Sequence, residues 1–236
     1  MKFDQKAFQY HEKASIQKAV ADWCSDWIER DCSPYTGLEL GAGTGLFTKH
    51  LALRGFKEFR ATDLSLSMLK EGKGRLPLVS WERADAWKGD WTEVDRIYAC
   101  SLLQWAPEPK KALRRWRESL RPGGRILACF FIEGSMQEFS KVDQRFSAIS
   151  WRSESRWKDI FVESGLRILR SDIRSDLIAY PTAKEALRHI HDLGAVDANR
   201  MSPSELKRLL KTLSDTNRNG FDLSWRAMRV ECEPSS

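Results

Sequence analysis

The residues best suited to chemistry in this chain are Glu39, Gly41, Ala42, Gly43 and Gly45, within the run Leu38-Glu39-Leu40-Gly41-Ala42-Gly43-Thr44-Gly45. Glycine reaches backbone angles that other residues resist, and it lets a ligand lie against the main chain. A buried strand that ends in such a loop and leads into a helix presents free N–H groups, backed by the positive end of the helix. A dinucleotide site needs G-x-G-x-x-G, with pyrophosphate on the helix N-terminus. Here the third glycine comes one position early, and Glu39 would set a negative charge against a pyrophosphate. A ligand with a cationic amine suits Glu39 better. Asp63, followed by Leu64, stands eighteen positions after Gly45. A carboxylate at about that distance can accept hydrogen bonds from both hydroxyls of a ribose. Asp85, between Ala84 and Ala86, has the chemistry to take an adenine amino group while the small neighbours admit the ring. A further polar set, Ser101, Gln104 and Trp105, follows another apolar segment.

Each of these groups needs a strand end to hold it. The pattern predicts strands at 36–40, 58–63, 77–82, 94–100 and 125–132, and helices at 46–54, 66–72 and 108–120. Helix 108–120 is opened by Pro107 and stopped by Pro122-Gly123-Gly124. Alternation of this kind is the mark of an α/β fold with a doubly wound, mostly parallel sheet, whose ligands bind at the C-terminal strand ends. Residues 4–30 read as mainly helical. Past Glu133, residues 135–165 read as helical, 166–173 as a strand, 182–213 as two helices and 223–232 as a strand. Ser202 with Glu205 forms a capping box beside Pro203. The expectation is one domain over 1–236: a helical cap at 1–30, a ligand-binding core at 36–132, a helical lid and substrate region at 133–220, and a C-terminal strand at 221–236.

With 236 residues and 42% hydrophobic content, a single substantial core is expected. The first residues are charged, without the apolar stretch of a signal peptide, and the longest apolar run, 126–132, is far too short to span a bilayer. Five cysteines, an odd number without C-x-x-C spacing, fit reduced thiols in a cytoplasmic protein and no disulfide framework. His189-x-His191-Asp192 is the one metal-like cluster, but its spacing matches no standard site, so no metal is expected. None of the four histidines falls near the proposed site by sequence. The net charge of +6 calls for an acidic partner. It is concentrated in Lys110, Lys111, Arg114, Arg115, Arg117, Arg121 and Arg125, and again in Arg200, Lys207, Arg208 and Lys211. No nucleic-acid motif accompanies either run.

The glycine run resembles the S-adenosylmethionine loop of the class I methyltransferases. Ser101-Leu102-Leu103-Gln104-Trp105, Leu120-Arg121-Pro122-Gly123-Gly124 and Gly134-Ser135-x-x-Glu138 together resemble the malonyl-acyl-carrier-protein methyltransferases of biotin synthesis. So do Phe3, Ala7, Tyr10 and Gln17 in the opening helix, and Leu193-Gly194-Ala195 late in the chain. Val196 departs from the small polar residue usual there, and residues 140–220 match weakly. The resemblance implies S-adenosyl-L-methionine as cofactor, held by Glu39, Gly41, Ala42, Gly43, Gly45, Asp63, Leu64, Asp85, Ala86 and Ser101. It also implies methyl transfer to the free carboxylate of a malonyl group on acyl carrier protein, by a monomer. Tyr10, Gln104 and Trp105, each a hydrogen-bond donor, are the candidate catalytic residues, with an arginine from the lid as a further partner. Two other readings share the cofactor residues: a methyltransferase for another small acid or amine, and a non-catalytic module binding carrier protein or nucleic acid.

Overall fold

The computed structural model describes residues 7–89, 91, 93–143, 149–194, 202–216 and 220–235. Seven strands form one sheet in the order β3-β2-β1-β4-β5-β7-β6. Strands β1 (Thr36–Leu40), β2 (Glu58–Asp63), β3 (Ser80–Arg83), β4 (Val94–Cys100) and β5 (Leu120–Phe131) run parallel to their neighbours. β7 (Phe221–Pro234) runs antiparallel to β5 and to the edge strand β6 (Leu166–Tyr180). The expected α/β, doubly wound, mostly parallel architecture is what the chain adopts.

The central strands are apolar on both faces because both faces are covered. On one face, Phe47, Tyr98, Leu127, Phe131 and Trp225 pack with α2 (Ser15–Ser25) and its buried Ile16 and Val20. On the other, Leu38, Ile97, Ile126 and Phe130 pack with α5 (Pro109–Glu118) and α7 (Glu154–Glu163), through Leu113, Trp116, Trp157 and Phe161. Past the buried Leu166, edge strand β6 largely alternates half-buried and exposed positions instead, as a half-covered strand should.

The outer elements differ from the sequence reading. The N-terminal helix breaks at Ala14, separating α1 (Ala7–Lys13) from α2. The helix expected at 46–54 shrinks to one α-turn, α3 (Thr48–Leu51), and a 3₁₀ turn ended by Gly55 at φ 68°. β3 starts three residues later than expected, because Pro77 and Leu78 belong to a turn that leaves Leu78 fully exposed. α4 (Leu66–Arg75) is capped by Ser65, which accepts from Met68 N–H at 3.3 Å. The helical stretch expected at 135–165 holds two helices among the described residues, α6 (Gln137–Val142) and α7, the second capped by Ser153, whose side chain accepts from Arg156 N–H. β6 runs seven residues past the expected end, and its polar outer positions pair across to β7, as in Arg170–Glu231 (2.6 Å) and Asp172–Arg229 (3.0 Å). The region read as lid therefore contains a full sheet strand. Its two helices, α8 (Ala183–Asp192) and α9 (Pro203–Thr216), lie between β6 and β7 in sequence. The capping box holds: Ser202 N–H donates to Glu205 Oε2 at 2.8 Å, and Glu205 N–H to Ser202 Oγ at 3.3 Å. Val196 and Arg200 lie outside the described residues.

Candidate cofactor and acceptor site

The glycine loop leaves the end of β1 with Gly41 at φ 66° and Gly43 at φ 57°, both in the left-handed region. A Cβ at Gly41 would sit 2.6 Å from the Leu102 side chain, whereas a Cβ at Gly43 would meet nothing within 4 Å. The first glycine is required for packing and the second leaves an open cradle. Asp63, at the end of β2, ties the loop down. Its Oδ2 accepts from Gly43 N–H at 2.9 Å and its Oδ1 from Ser65 N–H at 2.8 Å. Asp85 accepts from Trp87 N–H at 2.9 Å, and Ala86 is fixed by the Trp116 indole, which donates to its carbonyl at 2.8 Å.

Two adjoining cavities open from this loop, of about 220 Å³ and 60 Å³. Gly41, Gly43, Asp63, Leu64, Asp85, Ala86 and Ser101 line the larger one, together with all three candidate catalytic residues, Tyr10, Gln104 and Trp105. Glu39 and Ala42 line the smaller one, which shares Tyr10, Gln17, Gly41, Gly43 and Ser101 with its neighbour. Gly45 lines neither; at φ 91° it faces Leu76 and Trp81 and serves the turn.

Glu39 is 1% exposed, and its Oε2 has no hydrogen-bond partner. Burial, with smaller contributions from Cys100 and Asp63, pushes its carboxyl up to about 8, opposed only in part by the nearby Thr48 hydroxyl. A buried acid in this state favours a cationic partner. The orphaned carboxyl oxygen and the open cradle at Gly43 are the features that a ligand with a cationic amine and a flat nucleoside would complete, so the residues fit S-adenosylmethionine. Burial also raises the Tyr10 phenol well above its ordinary value, so Tyr10 remains a hydrogen-bond donor at neutral pH.

Gln104 turns out partly engaged. Its Nε2 donates to the Ser101 carbonyl at 2.9 Å, which leaves its Oε1 without a partner and one N–H for an acceptor. That bond braces Ser101, a non-glycine residue at φ 57° where β4 ends. Strain of this kind, held by its surroundings, clusters at ligand sites. The arginine expected from the lid is not found: no lysine, arginine or histidine stands among the described residues lining the larger cavity. One histidine does approach the site, against expectation. His11 Nδ1 lies 2.9 Å from Thr44 Oγ1 in the glycine loop, and burial, with Arg75, Lys18 and Lys49, holds its pKa below the ordinary value. The break at Ala14 folds α1 back over the loop, an approach that linear distance conceals. His189, from the metal-like cluster, instead joins Tyr180 to the Lys13 carbonyl and helps fasten α8 to α1.

Sequence reasoning did not assign Phe131, Trp151, Leu193 and Trp225, which also line the larger cavity and, the loop residues being suited to the cofactor, are the walls left for an acceptor. They come from four separate segments, so no local spacing marks them. Gln17, noted earlier only for its place in the opening helix, lines both cavities.

The family described as "Methyltransferase domain" matches residues 38–128, the segment that carries the glycine loop, Asp63 and Asp85. The biotin biosynthesis bifunctional protein of Cellvibrio japonicus is 25% identical over 214 residues, covering 88% of this chain and 42% of its own length. The malonyl-[acyl-carrier protein] O-methyltransferase of Brevibacillus brevis is 24% identical over 220 residues, covering 82% and 78%. In fold, the chain matches the YcgJ protein of Bacillus subtilis with a TM-score of 0.67 at 14% identity, over 92% of this chain and 99% of the other. The chain spans less than half of the bifunctional relative and about four fifths of the single-function one. Loop, cavities and relatives agree on S-adenosylmethionine-dependent methyl transfer: residues 38–128 match the methyltransferase family, and the chain resembles the malonyl-acyl-carrier-protein O-methyltransferases.

Proposed function

We propose that the chain transfers a methyl group from S-adenosylmethionine to the free carboxylate of a malonyl thioester carried on acyl carrier protein, as in early biotin synthesis. The observation that carries this reading is the acceptor end of the larger cavity. It offers hydrogen-bond donors such as Tyr10 and Trp105, and no histidine or lysine to serve as a base among the described residues that line it. An amine or hydroxyl acceptor must lose a proton, whereas a carboxylate is already ionised at neutral pH. The named relatives support the same choice.

Glu39 would hold the amino group of the cofactor, Asp63 its ribose, and Asp85 with Ala86 its adenine. The bound cofactor supplies an electrophilic methyl on a sulfonium. The chain's part would be to hold the ionised acceptor carboxylate in line with that methyl, a transfer that asks no residue to take up a proton. The chain contributes alignment and exclusion of water, a contribution that can reach roughly 7–11 kcal/mol. Tyr10, held protonated by burial, can donate to the acceptor throughout.

The test is a radiolabelled methyl-transfer assay with malonyl carrier protein, malonyl coenzyme A and free malonate. Malonyl carrier protein is expected to react fastest and free malonate slowest, with a base-labile methyl ester as product. Transfer to none of the three, with S-adenosylhomocysteine still bound, would turn the assignment to another small acid or an amine.

A further inference from the structure

Trp225 sits on β7 among the walls of the acceptor end, 3% exposed, with its ring 5.1 Å from that of Phe131. Its indole N–H is buried and meets no acceptor among the described residues, and the same holds for Trp151, which lines the same cavity. Other indoles are satisfied: Trp81 donates to the Leu76 carbonyl at 3.1 Å and Trp116 to that of Ala86. Trp91 and Trp157 also lack partners, but neither lines this cavity. A buried donor without an acceptor costs free energy, and because both rings belong to the cavity wall, a ligand atom against which the ring settles would supply the missing acceptor.

Trp225 is also held with unusual care. Ser135 Oγ donates to the Arg226 carbonyl at 2.9 Å and accepts from Arg226 N–H at 3.0 Å. Glu138 Oε2 accepts from Ser224 N–H at 3.1 Å, and Met136 N–H donates to the Ser224 carbonyl at 2.7 Å. The segment Gly134-Ser135-Met136-Gln137-Glu138 thus grips β7 on both sides of Trp225. The grip requires Met136 at φ 52°, a strained angle for that residue.

We propose that the indole N–H groups of Trp225 and Trp151 bind the acceptor carboxylate, and that residues 134–138 act as a positioning clamp for Trp225. This inference rests on the carboxyl-acceptor reading above. Neutral donors satisfy a buried carboxylate without an ion pair, so its oxygens stay nucleophilic. The product ester has lost its charge and accepts weaker hydrogen bonds from the same indoles, which favours its release.

The experiment uses the full chain saturated with S-adenosylhomocysteine and labelled with ¹⁵N at the indoles, titrated with malonyl coenzyme A and separately with its methyl ester. The Trp225 and Trp151 indole N–H resonances, assigned through backbone connectivity, should move downfield with the acid and little with the ester. In kinetics, Trp225→Phe should raise KM for the malonyl thioester by about 10- to 100-fold, with kcat and S-adenosylhomocysteine affinity little changed. Indole signals unmoved at saturating acid, or a wild-type KM in both Trp225→Phe and Trp151→Phe, would overturn the proposal. The resonance test needs no variant, so it stands even where Trp225→Phe fails to fold. A wild-type protein that neither binds nor methylates any malonyl thioester would overturn the carboxyl reading, and this inference with it.

Discussion

The cofactor end and the acceptor end of the larger cavity are built on opposite plans. Around the cofactor, the working groups are mostly backbone and carboxylates at the ends of β1, β2 and β3, within a stretch from Glu39 to Ala86. Around the acceptor they are side chains from distant parts: Tyr10 on α1, Phe131 on β5, Trp151 before α7, Leu193 after α8 and Trp225 on β7. The first plan suits a ligand that does not vary, because a loop and its strand ends reproduce the same geometry on many sequences. The second suits an acceptor that differs between enzymes, because each wall can change without disturbing the loop.

Substitutions at the two ends should therefore fail in different ways. Gly43→Val is expected to do most damage at the cofactor end. Its φ of 57° strains a β-branched residue, and its Cβ would enter the open cradle. Calorimetric titration should show S-adenosylhomocysteine affinity reduced at least about 100-fold. Gly55→Val is the control: φ is 68°, its Cβ also meets open space, but it ends a surface turn far from the loop. That variant should lose stability and keep its affinity. Equal loss of binding in both would mean that backbone strain, rather than the cradle, accounts for the effect.

At the acceptor end, Tyr10→Phe keeps the ring and removes the hydroxyl. Turnover should fall, by as much as about 10²–10³-fold if the hydroxyl meets developing charge, with cofactor affinity within a few-fold of wild type. Unchanged turnover would leave Tyr10 a packing residue and move the burden to the indoles.

Glu39 gives a smaller effect with a definite sign. With its carboxyl pushed up to about 8, it is mostly protonated at pH 7 in the ligand-free protein. A cationic amine beside it would ionise it, so S-adenosylhomocysteine binding at pH 7 should release a proton, measurable from the buffer dependence of the calorimetric heat. Glu39→Gln should abolish that release. Because the folded-state pKa lies above the unfolded one, the contribution to stability is present at low pH and is lost as pH rises from about 4.5 to 8, at up to about 1.4 kcal/mol per pH unit. The ligand-free variant should thus melt above wild type by a margin that widens from pH 5 to pH 8. A margin independent of pH would show that Glu39 stays ionised when unliganded.

The contrast between the two ends also explains what could be read from the sequence. Strands 36–40 and 94–100 are legible to the residue because central parallel strands are buried on both faces, and 58–63, only partly buried, because Asp63 ends it. β6 was legible only to Ile173, since beyond it Arg174 and Asp176 pair with each other at 2.7 Å on an edge that needs no apolar run. Glu39, Asp63 and Asp85 could be found by spacing. Trp225 could not: its significance comes from a clamp supplied by Ser135 and Glu138, some ninety residues earlier. His11 was misjudged for the same reason, since its partner Thr44 lies 33 positions away.

The smallest effect concerns the two basic runs, which looked equivalent as sequence. On α5 and the start of β5, the charges are largely engaged. Lys110 pairs with Glu163, Arg114 and Arg115 donate to the Glu163 and Lys88 carbonyls, and Arg121 pairs with Asp95 at 3.2 Å. On α9, Lys207, Arg208 and Lys211 are exposed and form no ion pair among the described residues. Unpaired surface charge is what steers an acidic partner, chiefly through the encounter rate, and salt screens it within roughly 8–10 Å. Reversing Lys207 and Arg208 together should lower kcat/KM for malonyl carrier protein several-fold at low salt. It should change malonyl coenzyme A turnover less, and the difference should fade as salt rises. Reversing Arg114 and Arg115 should instead cost thermal stability, because it puts carboxylates against the carbonyls those arginines now satisfy. The opposite pattern, with rate loss from the α5 pair alone, would place the docking face on the side of the sheet covered by α5 and leave the α9 charges as ordinary solvated surface.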